Sequence, residues 1–136
     1  MKLIRSIVFA LFATLTFASA AGPNDPLFVS LTTDDVDRAR MALNFSKHHF
    51  ENGHPLSIFL SDKGVHIGVK SGSKQYAEHQ KIISDVIAKG GTVIMCPMCL
   101  RHFGFSEADL IPGIKMGNPK TTGDALFKDG TKTLSW

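Results

Sequence analysis

The chain has 136 residues, 43% of them hydrophobic, with two cysteines and a formal charge of +3. This length is sufficient for one compact domain. Without Lys2 and Arg5, which belong to the amino-terminal segment, the 15 basic residues fall to 13 against 12 acidic ones, and the formal charge falls to +1. The remaining lysines are scattered, which excludes the basic stripe that a nucleic-acid-binding surface needs.

Residues 1–20 have the pattern of a secretory signal peptide. Lys2 and Arg5 form a short basic region, residues 7–17 are an apolar run, and the small residues at 18–20 provide a cleavage site. The apolar run is shorter than the roughly 18 to 20 residues that a membrane-spanning helix needs. We therefore predict cleavage after Ala20 or one residue later, leaving a periplasmic or secreted domain over residues 21–136 without a membrane segment. An uncleaved amino-terminal anchor is the alternative.

Strands and helices alternate through the first three-quarters of the chain. Short apolar segments predict strands over residues 27–32, 56–60 and 92–95. Helical spacing of apolar residues predicts one helix from residue 36 to the Asn-Gly pair at 52–53 and a second over residues 73–89. This order is typical of a single, doubly wound α/β domain in which helices cover both faces of a parallel sheet.

The remaining segments are shorter. Residues 64–69 fit either a short strand or a loop with a helical turn. A helical segment is predicted from about residue 98 to 103 and ends at Gly104. Residues 121–128 predict the last helix, and residues 131–136 predict the last strand.

Cys96 and Cys99 lie at the predicted junction between the third strand and the helix that follows it. Backbone N–H groups at a helix start lack partners, and a thiolate that accepts from them is stabilised, which favours its reactive form. Pro97 suits the first helical position, and Cys99 returns to the same end of the helix three residues later. The spacing favours Cys96 as a nucleophile with Cys99 as its resolving thiol. An inert pair or a plain short disulfide is the alternative.

The residues around this cysteine pair exclude two other functions and leave a third open. Haem attachment requires a histidine directly after the second cysteine, where this chain has Leu100. A structural zinc site requires four ligands, and the chain has only two cysteines and no histidine pair at finger spacing. The sulfurs of Cys96, Cys99 and Met98 form a soft ligand set that suits Cu(I), so copper binding is a competing hypothesis. We predict no other metal and no cofactor.

Histidines that lie near Cys96 and Cys99 are candidates for the same site. His102 follows Cys99 by three residues and is a candidate to tune a thiolate or to donate to a persulfide. His66 is a weaker candidate for the same pocket. His79 is expected on an exposed helix face, and the pair at 48–49 is expected near a helix C-terminus, where cations are favourable.

The cysteine-centred stretch over residues 91–114 resembles the signature of DsrE-like proteins. The turn at residues 31–33 and the region over residues 60–65 are similar too. The resemblance covers nearly all of residues 21–136, and the stretch around Cys96 is its most specific part. The chain is thus identified as an exported member of that family.

The resemblance implies a flavodoxin-like parallel fold and a homo-oligomer, either a trimer or a hexamer. It also implies that sulfur is relayed as a persulfide on the cysteine at the end of this strand, which is Cys96 here. We expect a sulfur carrier that exchanges with donor and acceptor proteins or small thiols, with Cys99 as resolving thiol and His102 as tuner. A thiol-disulfide oxidoreductase and the soft-metal protein remain the alternatives.

Overall fold

The computed structural model describes residues 22–136, so the predicted signal peptide at residues 1–20 lies outside the described residues. Five strands are present, namely β1 (Leu27–Leu31), β2 (Leu56–Leu60), β3 (Thr92–Met95), β4 (Lys115–Met116) and β5 (Lys132–Ser135). The helices within this range are α1 (Val36–Glu51), α2 (Ala77–Ala88), α3 (Pro97–His102) and α4 (Pro119–Leu126). None of these helices is long and apolar enough to cross a membrane.

The strands form one parallel sheet in the order β4-β3-β2-β1-β5. Helices α1 and α2 pack together on one face of it, because each presents a buried apolar stripe to the strands. The centre of this core consists of side chains that are at most 1% exposed, such as Val29, Leu43, Ile58, Ile83 and Val93. Burial of this apolar surface is the main stabilising contribution to the fold.

The opposite face of the sheet carries α4 and is covered more thinly. Ser57 and Thr92, which alternate with the core residues of their strands, share a hollow of about 430 Å³ with Ala125 of α4. No residue of α4 is fully buried. With helices on both faces of a parallel sheet, the structure confirms the predicted single α/β domain.

The register of the sheet brings the ends of β2 and β3 together. Leu60 pairs with Met95, the last residue of each strand, and the N–H of Cys96 donates to the carbonyl of Leu60 at 2.9 Å. The segments that follow the two strands therefore leave from the same edge of the sheet. The carboxyl edge of a parallel sheet is where working groups collect in this class of fold.

The predicted elements agree with the structure except in the shorter segments. The first three strands lie within one residue of their predicted bounds. Residues 64–68 belong to a 3₁₀ segment, Asp62–Gly68, which agrees with the helical alternative, and Val69 forms an isolated bridge with Leu110. Helix α2 begins four residues later than predicted, because residues 73–75 form a turn. The two-residue strand β4 was not predicted.

The expectation that His79 lies on an exposed helix face is wrong. His79 is 2% exposed, and its Nε2 lies 2.8 Å from the carbonyl oxygen of Val36 at the start of α1. Its position on α2 shares a stripe with Ile83 and Val86, which are four and seven residues further on, and this stripe packs against α1. The helical period, and not the polarity of the side chain, decides its placement.

Candidate functional site

Cys96 is the residue at which strand β3 becomes helix α3. Its carbonyl accepts the first helical hydrogen bond from Leu100 at 2.9 Å, and Pro97 occupies the first helical position. Its sulfur caps the helix by accepting the backbone N–H of Cys99 at 3.3 Å. The start of the helix thus gives the Cys96 sulfur a fixed main-chain hydrogen-bond donor.

The far end of α3 is fixed as tightly as its start. The N–H of Gly104 donates to Arg101 and that of Phe105 donates to Leu100, each at 3.0 Å, which is the Schellman arrangement. Gly104 has φ +79°, a left-handed conformation that a residue without a Cβ adopts at little cost. This short helix, ended as predicted at Gly104, holds both cysteines on a single turn.

The two thiols differ in their access to solvent. Both are free, but Cys96 is only 6% exposed, whereas Cys99 is partly exposed. Cys99 lines a surface hollow of about 350 Å³ together with Asp62, Met98, His102 and Phe103. An incoming molecule in this hollow therefore meets Cys99 directly, whereas Cys96, on the same helical turn, does not line the hollow.

The environment of Cys99 disfavours its charged form. Burial raises the pKa of the Cys99 thiol above its ordinary value, and hydrogen bonding with the Cys96 thiol raises it further. The main chain of Asp62 acts in the opposite direction and lowers this pKa. At neutral pH, Cys99 is therefore a protonated thiol beside Cys96.

We expect this raised pKa to appear in the pH dependence of alkylation at Cys99. Only the thiolate reacts, so the rate of iodoacetamide labelling at Cys99 should stay low at neutral pH and rise as the pH passes above the ordinary value of 9.0. Timed labelling followed by peptide mass mapping measures this rate. The same chain unfolded in urea is the control, and labelling of folded Cys99 at neutral pH as fast as in urea would contradict the expectation.

Asp62 is a site residue that sequence reasoning missed. It follows the end of β2 by two residues and begins the 3₁₀ segment Asp62–Gly68. Among residues 22–136, it is the one residue other than glycine with a positive φ, at +46°. Left-handed backbone in a non-glycine residue is uncommon and collects at functional sites. Its position just after the carboxyl end of the strand beside β3 is the signal that could have found it.

The structure brings His102 to the candidate site but keeps His66 outside it. His102 and Met98 both line the hollow that contains Cys99. The ring of His66 lies 4.6 Å from that of Phe103, centroid to centroid, and Phe103 separates it from the hollow. His66 instead faces a second, polar hollow that includes Tyr76.

The ligand set of the copper hypothesis is only partly gathered. Met98 and Cys99 line one hollow, and Cys96 lies behind them. Within residues 22–136, no group of three or more histidine, cysteine or carboxylate side chains is arranged to hold a metal ion. The described residues thus offer two soft sulfurs at the surface and a third that is buried.

Comparison with known proteins relates this arrangement to a family. The solved structure of MTH1491 from Methanobacterium thermoautotrophicum has a TM-score of 0.69 and 14% identity over 83% of this chain and 100% of its own. YchN from E. coli has a TM-score of 0.66 and 18% identity over 83% of this chain and 99% of its own. These neighbours support the flavodoxin-like fold that the sequence predicted.

Sequence comparison extends the relationship beyond the fold. The uncharacterized protein MJ0989 of Methanocaldococcus jannaschii is 30% identical over 81 residues, which are 59% of this chain and 71% of that protein. The profile of the DsrE/DsrF-like family matches residues 27–135, from the first residue of β1 to the last residue of β5. The chain therefore belongs to the DsrE/DsrF-like family.

Proposed function

We propose that this protein is an exported sulfur carrier that holds sulfur as a persulfide on Cys96. The observation that carries the proposal is the hydrogen bond from the N–H of Cys99 to the sulfur of Cys96, at the carboxyl edge of the sheet in a DsrE/DsrF-like chain. Membership of this family suggests a function of the sulfur-relay type. The fixed amide donor offers a hydrogen bond to the sulfur that is loaded.

In the loading step, the Cys96 thiolate attacks the outer sulfur of a donor persulfide, R–S–SH. A new S–S bond forms on Cys96, the bond between the two donor sulfurs breaks, and the donor leaves as the thiolate R–S⁻. No net oxidation occurs, so this step needs no oxidant. The single transferred atom suits a thiol that is only 6% exposed, because a bulky disulfide would meet Cys99 first.

Two discharge routes are open to the Cys96 persulfide. An acceptor thiolate can attack the outer sulfur and release Cys96 as a thiolate, which completes a relay. Alternatively, the Cys99 thiolate attacks the inner sulfur, forms a disulfide with Cys96 and expels HS⁻, so that the sulfane sulfur is reduced while the two thiols are oxidised. The second route needs an external dithiol to reduce the disulfide and begin a new cycle.

The cellular setting is part of the proposal. The signal-peptide pattern at residues 1–20 supports a periplasmic or secreted location, an oxidising compartment in which a thiol reductant is required as a partner. Donor and acceptor proteins or small thiols are the other partners. Exposed apolar side chains support a homo-oligomer, a trimer or a hexamer, since Met41 is 68%, Phe45 41% and Leu134 37% exposed.

Intact mass spectrometry of the anaerobically purified protein tests this function. After treatment with a low-molecular-weight persulfide, we expect a gain of one sulfur atom that dithiothreitol removes. Cys96→Ser should abolish the gain, because it removes the sulfur that is loaded. Serine is close in size to cysteine, and circular dichroism of the variant verifies that the fold is retained.

Other outcomes of this measurement oppose the proposal. A protein that shows no sulfur gain and remains a bare disulfide would favour the thiol-disulfide oxidoreductase. Mass added as copper, accompanied by protection of both thiols from alkylation, would favour the soft-metal protein.

A further inference from the structure

The surface hollow that contains Cys99 combines apolar side chains with one carboxylate. Met98, which is 72% exposed, and Phe103 give it an apolar lining, and Asp62 borders it from the segment that follows β2. His102 is the remaining polar side chain. With histidine counted as neutral, Asp62 is the one formal charge among the five described residues that line the hollow.

Two cations lie next to lining residues in the sequence but do not line the hollow themselves. Lys63 follows Asp62, and Arg101 lies on α3, and both residues are exposed. The interaction between charges falls with distance and is screened by salt, so the charge that borders the hollow has the largest effect on a molecule inside it. The negative charge of Asp62 also raises the pKa of the Cys99 thiol, which agrees with its place beside that sulfur.

We propose that the thiol partner that reacts at Cys99 carries a positive charge beside its sulfur. The carboxylate of Asp62 attracts such a partner into the hollow and repels a partner whose neighbouring group is an anion. This selectivity deepens the proposed function, because a cycle through the Cys96–Cys99 disulfide needs an external dithiol as reductant. The charge of the hollow assigns that reductant to one class, namely a small amine thiol or a protein cysteine next to lysine or arginine.

The reaction takes place at the sulfur that the hollow exposes. A partner thiolate attacks the Cys99 sulfur of the Cys96–Cys99 disulfide, the bond between the two protein sulfurs breaks, and Cys96 leaves as a thiolate. A second partner thiolate then attacks the partner sulfur of the mixed disulfide and releases Cys99 as a thiolate. The partner loses two electrons and becomes a disulfide, and the protein disulfide gains them. Attack falls on Cys99 because Cys96 is 6% exposed and does not line the hollow.

Two methanethiosulfonates of similar size and opposite charge test this selectivity. The trimethylammonium-ethyl and sulfonato-ethyl reagents each transfer a thioalkyl group to a thiolate and release methanesulfinate. In the Cys96→Ser protein, Cys99 is the only thiol, and intact mass against time gives the rate for each reagent. The ratio of the cationic to the anionic rate is independent of the fraction of Cys99 that is ionised, so a change of its pKa does not alter this ratio.

The ratio at Cys99 should exceed the ratio for 2-mercaptoethanol at low ionic strength, and Asp62→Asn should reduce it by about tenfold. This value combines about threefold from the attraction of one reagent with about threefold from the repulsion of the other, as for unit charges about 6 Å apart in water. Added salt should reduce the ratio as well. Asp129→Asn is the matched control, since it removes an exposed carboxylate three residues before β5, at the opposite edge of the sheet, and should leave the ratio unchanged.

Two results with these reagents would overturn the proposal. One is a ratio that does not change in Asp62→Asn, or that lies below the ratio for 2-mercaptoethanol in the protein with Asp62. The other is a larger change of the ratio in Lys63→Gln or Arg101→Gln than in Asp62→Asn, because a cation outside the lining would then control the hollow. Neither reagent requires sulfur transfer, so the mass assay with a persulfide decides the proposed function separately.

Reduction of the oxidised natural protein distinguishes the two sources of positive charge. Cysteamine represents a small amine thiol, and a dithiol peptide with lysines beside its cysteines represents a protein. Each rate is divided by the rate with uncharged 2-mercaptoethanol, and Asp62→Asn should reduce the quotient for the partner that fits. A loss with cysteamine alone identifies the small thiol, and a loss with the peptide alone identifies the protein. An unchanged quotient for both would overturn the proposal.

Discussion

Gly64→Ala should destabilise the protein by about 3 kcal/mol or more, because the new methyl group would overlap main-chain atoms. A Cβ at this position would lie 2.1 Å from the carbonyl oxygen of Leu31 and 2.9 Å from its carbonyl carbon. Leu31 cannot move away easily, since it pairs with Leu60 at the carboxyl ends of two inner strands and its oxygen accepts the N–H of Ser61. A loss of this size is a large share of the ~5–15 kcal/mol that stabilises a typical domain.

Gly123→Ala is the matched control, with the same chemical change in a different setting. Gly123 lies inside α4, and its Cβ would meet only Phe127, at an ordinary distance of 3.9 Å. Alanine is a better helix former than glycine, so this variant should be more stable by about 0.5–1 kcal/mol. Urea unfolding followed by circular dichroism measures both changes. Equal stability of the Gly64→Ala variant and the natural protein would contradict the close approach at Leu31.

This close approach also explains why the site needs a glycine that performs no chemistry. Gly64 allows the 3₁₀ segment Asp62–Gly68 to lie against the end of β1, and that contact places Asp62 beside Cys99. In Gly64→Ala, any protein that still folds must shift this segment. The stability of the sheet edge and the environment of Cys99 are thus linked through one backbone contact.

The central fold could be predicted because its signals are local. The strands β1, β2 and β3 are short apolar runs between turn residues, and α1 and α2 show the helical period. The place of Cys96 followed from the same kind of signal, since a strand pattern ends directly before it and Pro97 marks the helix start. Each of these features depends on residues within one segment.

The features that could not be predicted depend on pairing between segments. Strand β4 has two residues and exists only because it pairs with the end of β3. The place of Asp62 in the hollow beside Cys99 requires that Leu60 and Met95 lie side by side, which no local pattern reveals. His79 is the exception, because the period of α2 places it on the buried stripe and only its polarity suggested exposure.

Cys99→Ser should convert a transient persulfide into a stable one. In the natural protein, Cys96 and Cys99 lie on the same helical turn. The main-chain N–H of Cys99 donates to the sulfur of Cys96 at 3.3 Å. An intramolecular thiol acts at an effective concentration far above that of thiols in solution, so its removal should lengthen the lifetime of the persulfide by about 100-fold. The measurement is intact mass against time after the donor is removed, without external reductant.

Cys96→Ser is the matched control, since it makes the same atomic change at the other thiol. It should show no sulfur gain at any time, while the natural protein should gain sulfur and then lose it as sulfide, together with two hydrogen atoms as the disulfide forms. Sulfur loss from Cys99→Ser as fast as from the natural protein would remove the resolving role of Cys99 and leave the carrier role intact. Loading of Cys96→Ser but not of Cys99→Ser would reverse the two assignments.

The lifetime in Cys99→Ser also separates the two discharge routes. If Cys99 expels the sulfur as sulfide, its attack on the Cys96 persulfide competes with the attack of an acceptor thiol. Sulfur then reaches the acceptor in higher yield from Cys99→Ser than from the natural protein. If the acceptor attacks the Cys96 persulfide before Cys99 does, the yield of transfer is the same for both proteins. The partly exposed Cys99 and the 6% exposed Cys96 favour the first result, because the internal thiol reaches the persulfide without having to enter the hollow. With that result, the second cysteine would make the protein a source of sulfide that depends on a dithiol reductant, whereas a chain with Cys96 alone would be a relay.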